Sequence, residues 1–153
     1  MDSKKWHILL ADDDIDDCLF FKKALEELSL TTRLTTLHDG EQLINYLNAN
    51  IKDPPDAIFL DLSMPRKTGF ECLTEIKQHA QFKDIPVFVF STSFTRDLNY
   101  ERTLIGTLSS IGAQEYIRKP GDFELLKKVI YNALVKVTDK VAGEQNAMGE
   151  PSI

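Results

Sequence analysis

Four aspartates, a serine and a lysine stand out in this sequence because of where they fall. Asp12, Asp13 and Asp14 close the apolar run HILLA, Asp61 closes AIFL, Ser91 closes VFVF, and Lys119 follows EYIR. Carboxylates brought within a few ångströms of one another repel and raise each other's pKa unless a cation lies among them. A hard divalent ion with oxygen ligands is the economical partner. Mg²⁺ suits best, because it takes few carboxylates, keeps waters and leaves room for a phosphate oxygen. A carboxylate beside such an ion can attack a phosphoryl group and form an acyl phosphate. A hydroxyl at Ser91 and an ammonium at Lys119 would hold the remaining phosphoryl oxygens.

Each of these residues also has a plainer reading. Asp12-Asp13-Asp14 can be a helix N-cap with favourable dipole charges, and Asp14 is the best capping candidate, with Asp16 and Asp17 in the first turn. That leaves Asp12 and Asp13 for a pocket. An EF-hand reading of DDDIDD fails, since its sixth position is Asp17 rather than Gly and its twelfth is Lys23 rather than Glu. Taken singly, Asp61 is an acid that begins a loop, Ser91 a turn hydroxyl and Lys119 a surface lysine. Their joint placement, each at the carboxyl end of an apolar run, favours the chemical reading.

The elements that must position them follow from periodicity. Short apolar runs alternate with longer segments of helical period, the pattern of a parallel sheet covered by helices on both faces. Strands are expected at Lys5–Ala11, Leu34–Leu37, Ala57–Asp61, Val87–Ser91 and Glu115–Arg118. Helices are expected at Ile15–Leu28, Gly40–Asn48, Gly69–Gln81, Thr95–Ser109 and Asp122–Thr138. The last is clearest, because Phe123, Leu126, Ile130, Ala133, Leu134 and Val137 recur on one face. HILLA, AIFL and VFVF are nearly all apolar, as strands buried on both faces should be, whereas TTRLTTL and EYIRK are mixed and read as edges. The expectation is an α/β, flavodoxin-like (βα)₅ doubly wound parallel sheet of strand order 2-1-3-4-5, whose ligand site lies outside the carboxyl ends of the strands. The first and third strands are neighbours in that order, which brings Asp12, Asp13 and Asp61 together.

The 153 residues fit one domain, with a hydrophobic fraction of 42% and a charged fraction of 27% typical of globular proteins. With 18 Lys+Arg against 24 Asp+Glu, the net charge of −6 gives no electrostatic reason to expect nucleic-acid binding. The opening MDSKKWHILLADDD has neither signal-peptide nor membrane-span character, so a cytoplasmic protein without membrane attachment is expected. Cys18 and Cys72 lack CxxC or Cys/His spacing and read as packing residues. The domain is expected over residues 1–138. After Thr138 the apolar period is lost, and residues 139–153 read as a flexible tail without an output domain.

The runs ILLADDD, IFLDLSMP followed by GFE, VFVFSTS and GAQEYIRKP, in this order, resemble the motifs of response-regulator receiver domains from about Trp6 to Val137. The FSTS form and the DDD run resemble the small branch that includes cyanobacterial phytochrome-partner regulators. That resemblance implies a two-component phosphorelay protein with Asp61 as phosphoacceptor. Asp13 and Asp61 would bind Mg²⁺ directly, Asp12 mainly through water, and the Ser63 backbone carbonyl would be a further ligand. Ser91 takes the Thr/Ser switch position, Tyr116 the switch aromatic and Lys119 the phosphate-binding lysine, and Pro120 would follow a cis peptide bond. Phosphate would draw the Ser91 hydroxyl inward and vacate space for Tyr116. The implied partners are a histidine kinase or histidine phosphotransfer protein, and a downstream protein met through the fourth helix, fifth strand and fifth helix. Such a protein is a phosphoacceptor switch rather than an enzyme, with at most self-phosphorylation and self-dephosphorylation.

Two departures bear on this. The stretch from Ser91 to Lys119 is longer than is usual in that family, which lengthens the fourth helix or the loop before it. Ser91 also lacks the methyl group that restricts the rotamer of the commoner Thr. Among rivals, a haloacid-dehalogenase-like phosphatase would use Asp12 as nucleophile and Asp14 as acid/base. It would need a further strand ending in paired acids after Lys119, and none follows. A pseudo-receiver acting as a constitutive interaction module would have lost Asp61, an acid of the pair or Lys119. A flavodoxin-type cofactor binder would need a phosphate-cradling loop where the three aspartates stand.

Overall fold

The computed structural model describes residues 5–92 and 98–149. Strands β1 (Trp6–Ala11), β2 (Thr32–Leu37), β3 (Ala57–Leu60), β4 (Val87–Ser91) and β5 (Glu115–Arg118) alternate with helices α1 (Ile15–Glu26), α2 (Gly40–Ala49), α3 (Gly69–Gln78), α4 (Leu98–Ile111) and α5 (Phe123–Gly149). The strands are all parallel in the order β2-β1-β3-β4-β5, the expected flavodoxin-like arrangement.

Successive side chains of a strand point to opposite faces, so an all-apolar strand feeds two cores at once. Leu9, Ala11, Ile58, Leu60, Val87 and Val89 pack on one face beneath α2, α3 and α4. Ile8, Leu10, Ala57, Phe59, Phe88 and Phe90 pack on the other beneath α1 and α5. β1, β3 and β4 are buried almost throughout, whereas β2 and β5 are largely intermediate, as edge strands that meet solvent should be.

Several boundaries differ from the sequence pattern. β2 begins at Thr32 rather than Leu34, because Trp6 pairs with Thr32 and its N–H reaches the Thr31 carbonyl. α3 stops at Gln78 instead of Gln81. Its C-cap His79 turns into extended backbone, its ring stacks on Phe82 at 4.0 Å, and Phe82 drops into the core. The expected start of α4 at Thr95 lies outside the described residues, and the helix runs on to Ile111. α5 continues to Gly149, well past Thr138, so the backbone of 139–149 is helical where irregular structure was expected. A helix needs no apolar face to propagate, and Lys, Ala, Glu, Gln and Met are good helix formers. Among the described residues no helix is long and apolar enough to cross a membrane.

Candidate functional site

The site is built where ladder hydrogen bonds run one residue past the strands. Asp12 N–H reaches the Leu37 carbonyl at 2.9 Å, Asp61 N–H the Ala11 carbonyl at 3.0 Å, and Lys119 N–H the Ser91 carbonyl at 2.9 Å. These bonds fix the backbone of each side chain relative to its neighbouring strand. Asp14 then caps α1, accepting from Asp17 N–H at 3.1 Å, as the sequence pattern predicted. Asp12 turns inward and accepts from Asp14 N–H at 3.0 Å. Thr68 and Glu71 form a reciprocal capping box that starts α3.

Asp61 is gripped at both oxygens. Oδ1 accepts from Ser63 N–H at 3.2 Å and from the Ser91 hydroxyl at 3.1 Å, and Oδ2 accepts from Lys119 Nζ at 3.0 Å. Asp12, Asp61 and Ser91 are all buried, whereas Asp13 is exposed. Asp12, Asp13 and Asp61 each offer a carboxylate oxygen within 4.8 Å of the others, a spacing that could hold one hard cation. The only nearby countercharge among the carboxylates' described partners is the Lys119 ammonium.

The electrostatics follow from this crowding. Burial pushes the Asp12 carboxyl up to about 6, against the hydrogen bonds from Lys119 and Asp14 that favour its charge, with the Asp61 charge adding to the rise. For Lys119, burial works against the ammonium. Its hydrogen bonds to Asp12 and Asp17 and the charges of Asp61 and Asp12 outweigh that and hold its pKa above the ordinary lysine range. The two cysteine thiols are far from reactive: burial pushes Cys18 up to about 11 and Cys72 up to about 12.

Tyr116 stands half-buried on β5 and helps line a cavity of about 360 Å³ with Ser91, Leu62, Met64, Tyr100 and Leu104. The cavity separates the β3–α3 loop from α4, and a Glu101–Arg118 ion pair ties α4 to β5 beside it. The Lys119–Pro120 bond is not cis. Among the described residues every peptide bond is trans, which corrects the expectation for Pro120, and trans is the lower-energy form of an X–Pro bond.

Two features of the site were not read from the sequence. Asp17, taken only as a first-turn dipole charge, also accepts from Lys119 Nζ at 2.9 Å. Its place three residues after the N-cap Asp14 keeps it in the first turn of α1, close to the acid run that ends β1, the signal that could have found it. The β3–α3 loop is also anchored to α2: Arg66, at a φ of 70°, reaches the α2 cap Asp39 with Nε–Oδ2 at 3.3 Å.

A doubly wound parallel sheet of order β2-β1-β3-β4-β5 with buried acids, a hydroxyl and a lysine at the carboxyl ends of its strands is the flavodoxin-like class, with its candidate site where such sheets bind ligands. The chain belongs to the response regulator receiver domain family, whose model matches residues 8–131. It is 32% identical over 126 residues to the probable methanogenesis regulatory protein FilR2 of Methanothrix harundinacea (strain 6Ac), across 80% of this chain and 77% of that protein. The response regulator Rcp1 of Synechocystis sp. is 35% identical over 94 residues, across 59% of this chain and 64% of Rcp1. The crystal structure of the phosphorylated cyanobacterial phytochrome response regulator RcpA superposes with a TM-score of 0.73 at 27% identity, covering 97% of this chain and 98% of RcpA. Receiver domains of this family are switches in two-component signalling that work with histidine kinases or phosphotransfer proteins and typically bind Mg²⁺.

Proposed function

We propose that this receiver accepts a phosphoryl group on Asp61 from a histidine kinase or histidine phosphotransfer protein and passes the signal on by protein–protein contact in the cytoplasm. The observation that carries this reading is the grip on Asp61. One buried carboxylate meets an ammonium on one oxygen and a hydroxyl on the other, and lies within 4.8 Å of two further carboxylate oxygens. In the transfer, the donor's P–N bond breaks with its electron pair left on the imidazole nitrogen, and an Asp61 oxygen bonds to phosphorus.

Asp12, Asp13, Asp61 and the Ser63 backbone carbonyl would hold Mg²⁺. Bound there, Mg²⁺ would neutralise charge on the phosphoryl oxygens. Lys119 and the Ser91 hydroxyl already point at Asp61 and would meet the other oxygens, with no large reorganisation needed. The Ser91 hydroxyl, drawn to the phosphoryl group, would leave the wall of the cavity that Tyr116 also lines, which supports Tyr116 as the switch aromatic. The output surface on this reading is α4, β5 and α5, where the Glu101–Arg118 and Glu115–Lys136 pairs cross between elements.

Incubation with acetyl phosphate and Mg²⁺, followed by intact mass, tests the assignment. The wild type should gain one phosphoryl group and Asp61→Asn none. No gain with acetyl phosphate or with a range of histidine kinases would sink the reading. A constitutive module would bind its partner equally well in both proteins.

A further inference from the structure

Among the described residues Arg66 is the only non-glycine with a positive φ, 70°. Around it the Lys67 N–H reaches the Pro65 carbonyl at 2.8 Å, so Arg66 is the central residue of a three-residue turn with the left-handed φ of the strained γ-turn. A Cβ disfavours that conformation, whereas glycine takes it without steric cost. An arginine there must be held by its surroundings. Its Nε lies 3.3 Å from Asp39 Oδ2, on a side chain only 9% exposed, and Asp39 also caps α2 by accepting from Gln42 N–H at 2.8 Å. The next residue is seated on the same helix, since a Cβ added to Gly40 would fall 2.0 Å from the Lys67 carbonyl oxygen. The N-terminus of α2 thus holds the turn at two consecutive residues.

The turn belongs to a closed loop. Gly69 N–H reaches the Leu62 carbonyl at 3.0 Å, which ties the two ends of 63–68 together, and Ser63 N–H is bound to Asp61 Oδ1 at 3.2 Å. A change of chain direction at Arg66 must be absorbed between those ends, and Ser63 is among the residues that absorb it. We propose that Arg66 is a positioning residue for the cation site: its pair with Asp39 holds the left-handed turn, and the turn sets the Ser63 carbonyl. This rests on the reading of Asp12, Asp13, Asp61 and the Ser63 carbonyl as Mg²⁺ ligands. Helix α2, which supplies none of those ligands, thereby takes part in cation binding.

The test is Mg²⁺ binding by isothermal titration calorimetry on the whole chain, with magnesium chloride as the probe. Arg66→Ala keeps a Cβ and loses the ion pair, and should raise the dissociation constant about two- to five-fold, the scale of an exposed pair. Arg66→Gly loses the same charge and the same pair but adopts the turn freely, and should bind at least as tightly as the wild type. Asp39→Ser keeps a capping side chain that is too short for the guanidinium. It should weaken Mg²⁺ binding beside Arg66 and leave it unchanged in the Arg66→Gly background. An unmoved constant in Arg66→Ala, even with lower stability, overturns the positioning role while the Mg²⁺ reading stands. So does equal weakening in Arg66→Ala and Arg66→Gly, or equal weakening by Asp39→Ser in both backgrounds. A wild type that takes up no Mg²⁺ brings down both.

Discussion

At the scale of single residues, the site works by leaving polar groups no freedom. Asp61 has both oxygens engaged, Lys119 all three hydrogens, and Asp12 one oxygen on the Asp14 backbone and the other on Lys119. At the opposite end of β1 stands a polar group with a loose end. His7 is buried, its Nε2 pairs with Thr35 Oγ1 at 2.9 Å, and its Nδ1 has no partner among the described residues. Burial first, then the nearby Arg33 charge, lower its pKa below 6.5, against the pull of Asp53 and Asp56. The unfolded chain therefore binds a proton at a pH where the folded one does not, and stability falls as the pH drops below 6.5. His7→Gln keeps a polar atom for Thr35 but cannot titrate. Denaturant unfolding from pH 8 to pH 5 should show the wild type losing stability relative to that variant on the acid side only. Parallel pH profiles would contradict the assignment.

At the scale of elements, α3 is the piece that fixes Asp61. Its first residue, Gly69, lies so close to the end of β3 that an added Cβ would fall 2.3 Å from the Asp61 carbonyl oxygen and 2.6 Å from Leu62 Cα. Both are backbone atoms, so the clash cannot be relieved by turning a side chain. Gly69→Ala should cost about 1–3 kcal/mol by urea denaturation, the scale of overpacking in a tight contact, and should slow phosphoryl gain from acetyl phosphate because Asp61 moves with its backbone. Unaltered stability and labelling would show that α3 can shift freely. The GFE run that marks this helix was visible in the sequence, and so was its start at Gly69. The close approach that requires glycine was not, since nothing local to residues 69–71 records how near β3 passes. The end of α5 was misread for another reason: apolar period reports a packed face and not the helical backbone, which runs on to Gly149 through residues of good helix propensity.

At the scale of the whole molecule, the sheet divides two cores and carries the site on its upper edge. Phe59, two residues before Asp61, anchors the α1/α5 core with ring centroids 5.0 Å from Phe21, 5.1 Å from Phe88 and 6.0 Å from Phe90. Phe59→Ala should cost about 3–5 kcal/mol in unfolding free energy, and a loss under about 1 kcal/mol would mean the aromatic cluster closes around the gap. The sequence by itself determined much of the architecture: strand identity, central against edge strands, the α1 cap at Asp14, and the acids, hydroxyl and lysine at the strand ends. All of these are written in local periodicity and in which residue follows each apolar run. Only the tertiary structure decided that Lys119 is saturated by three carboxylates, one of them Asp17, that Gly69 lies against the Asp61 backbone, and that the bond before Pro120 is trans. Lys119 meets Asp12 and Asp17 across 107 and 102 residues of chain. Contacts of that separation depend on strand register and helix docking acting together, and no window of sequence contains either.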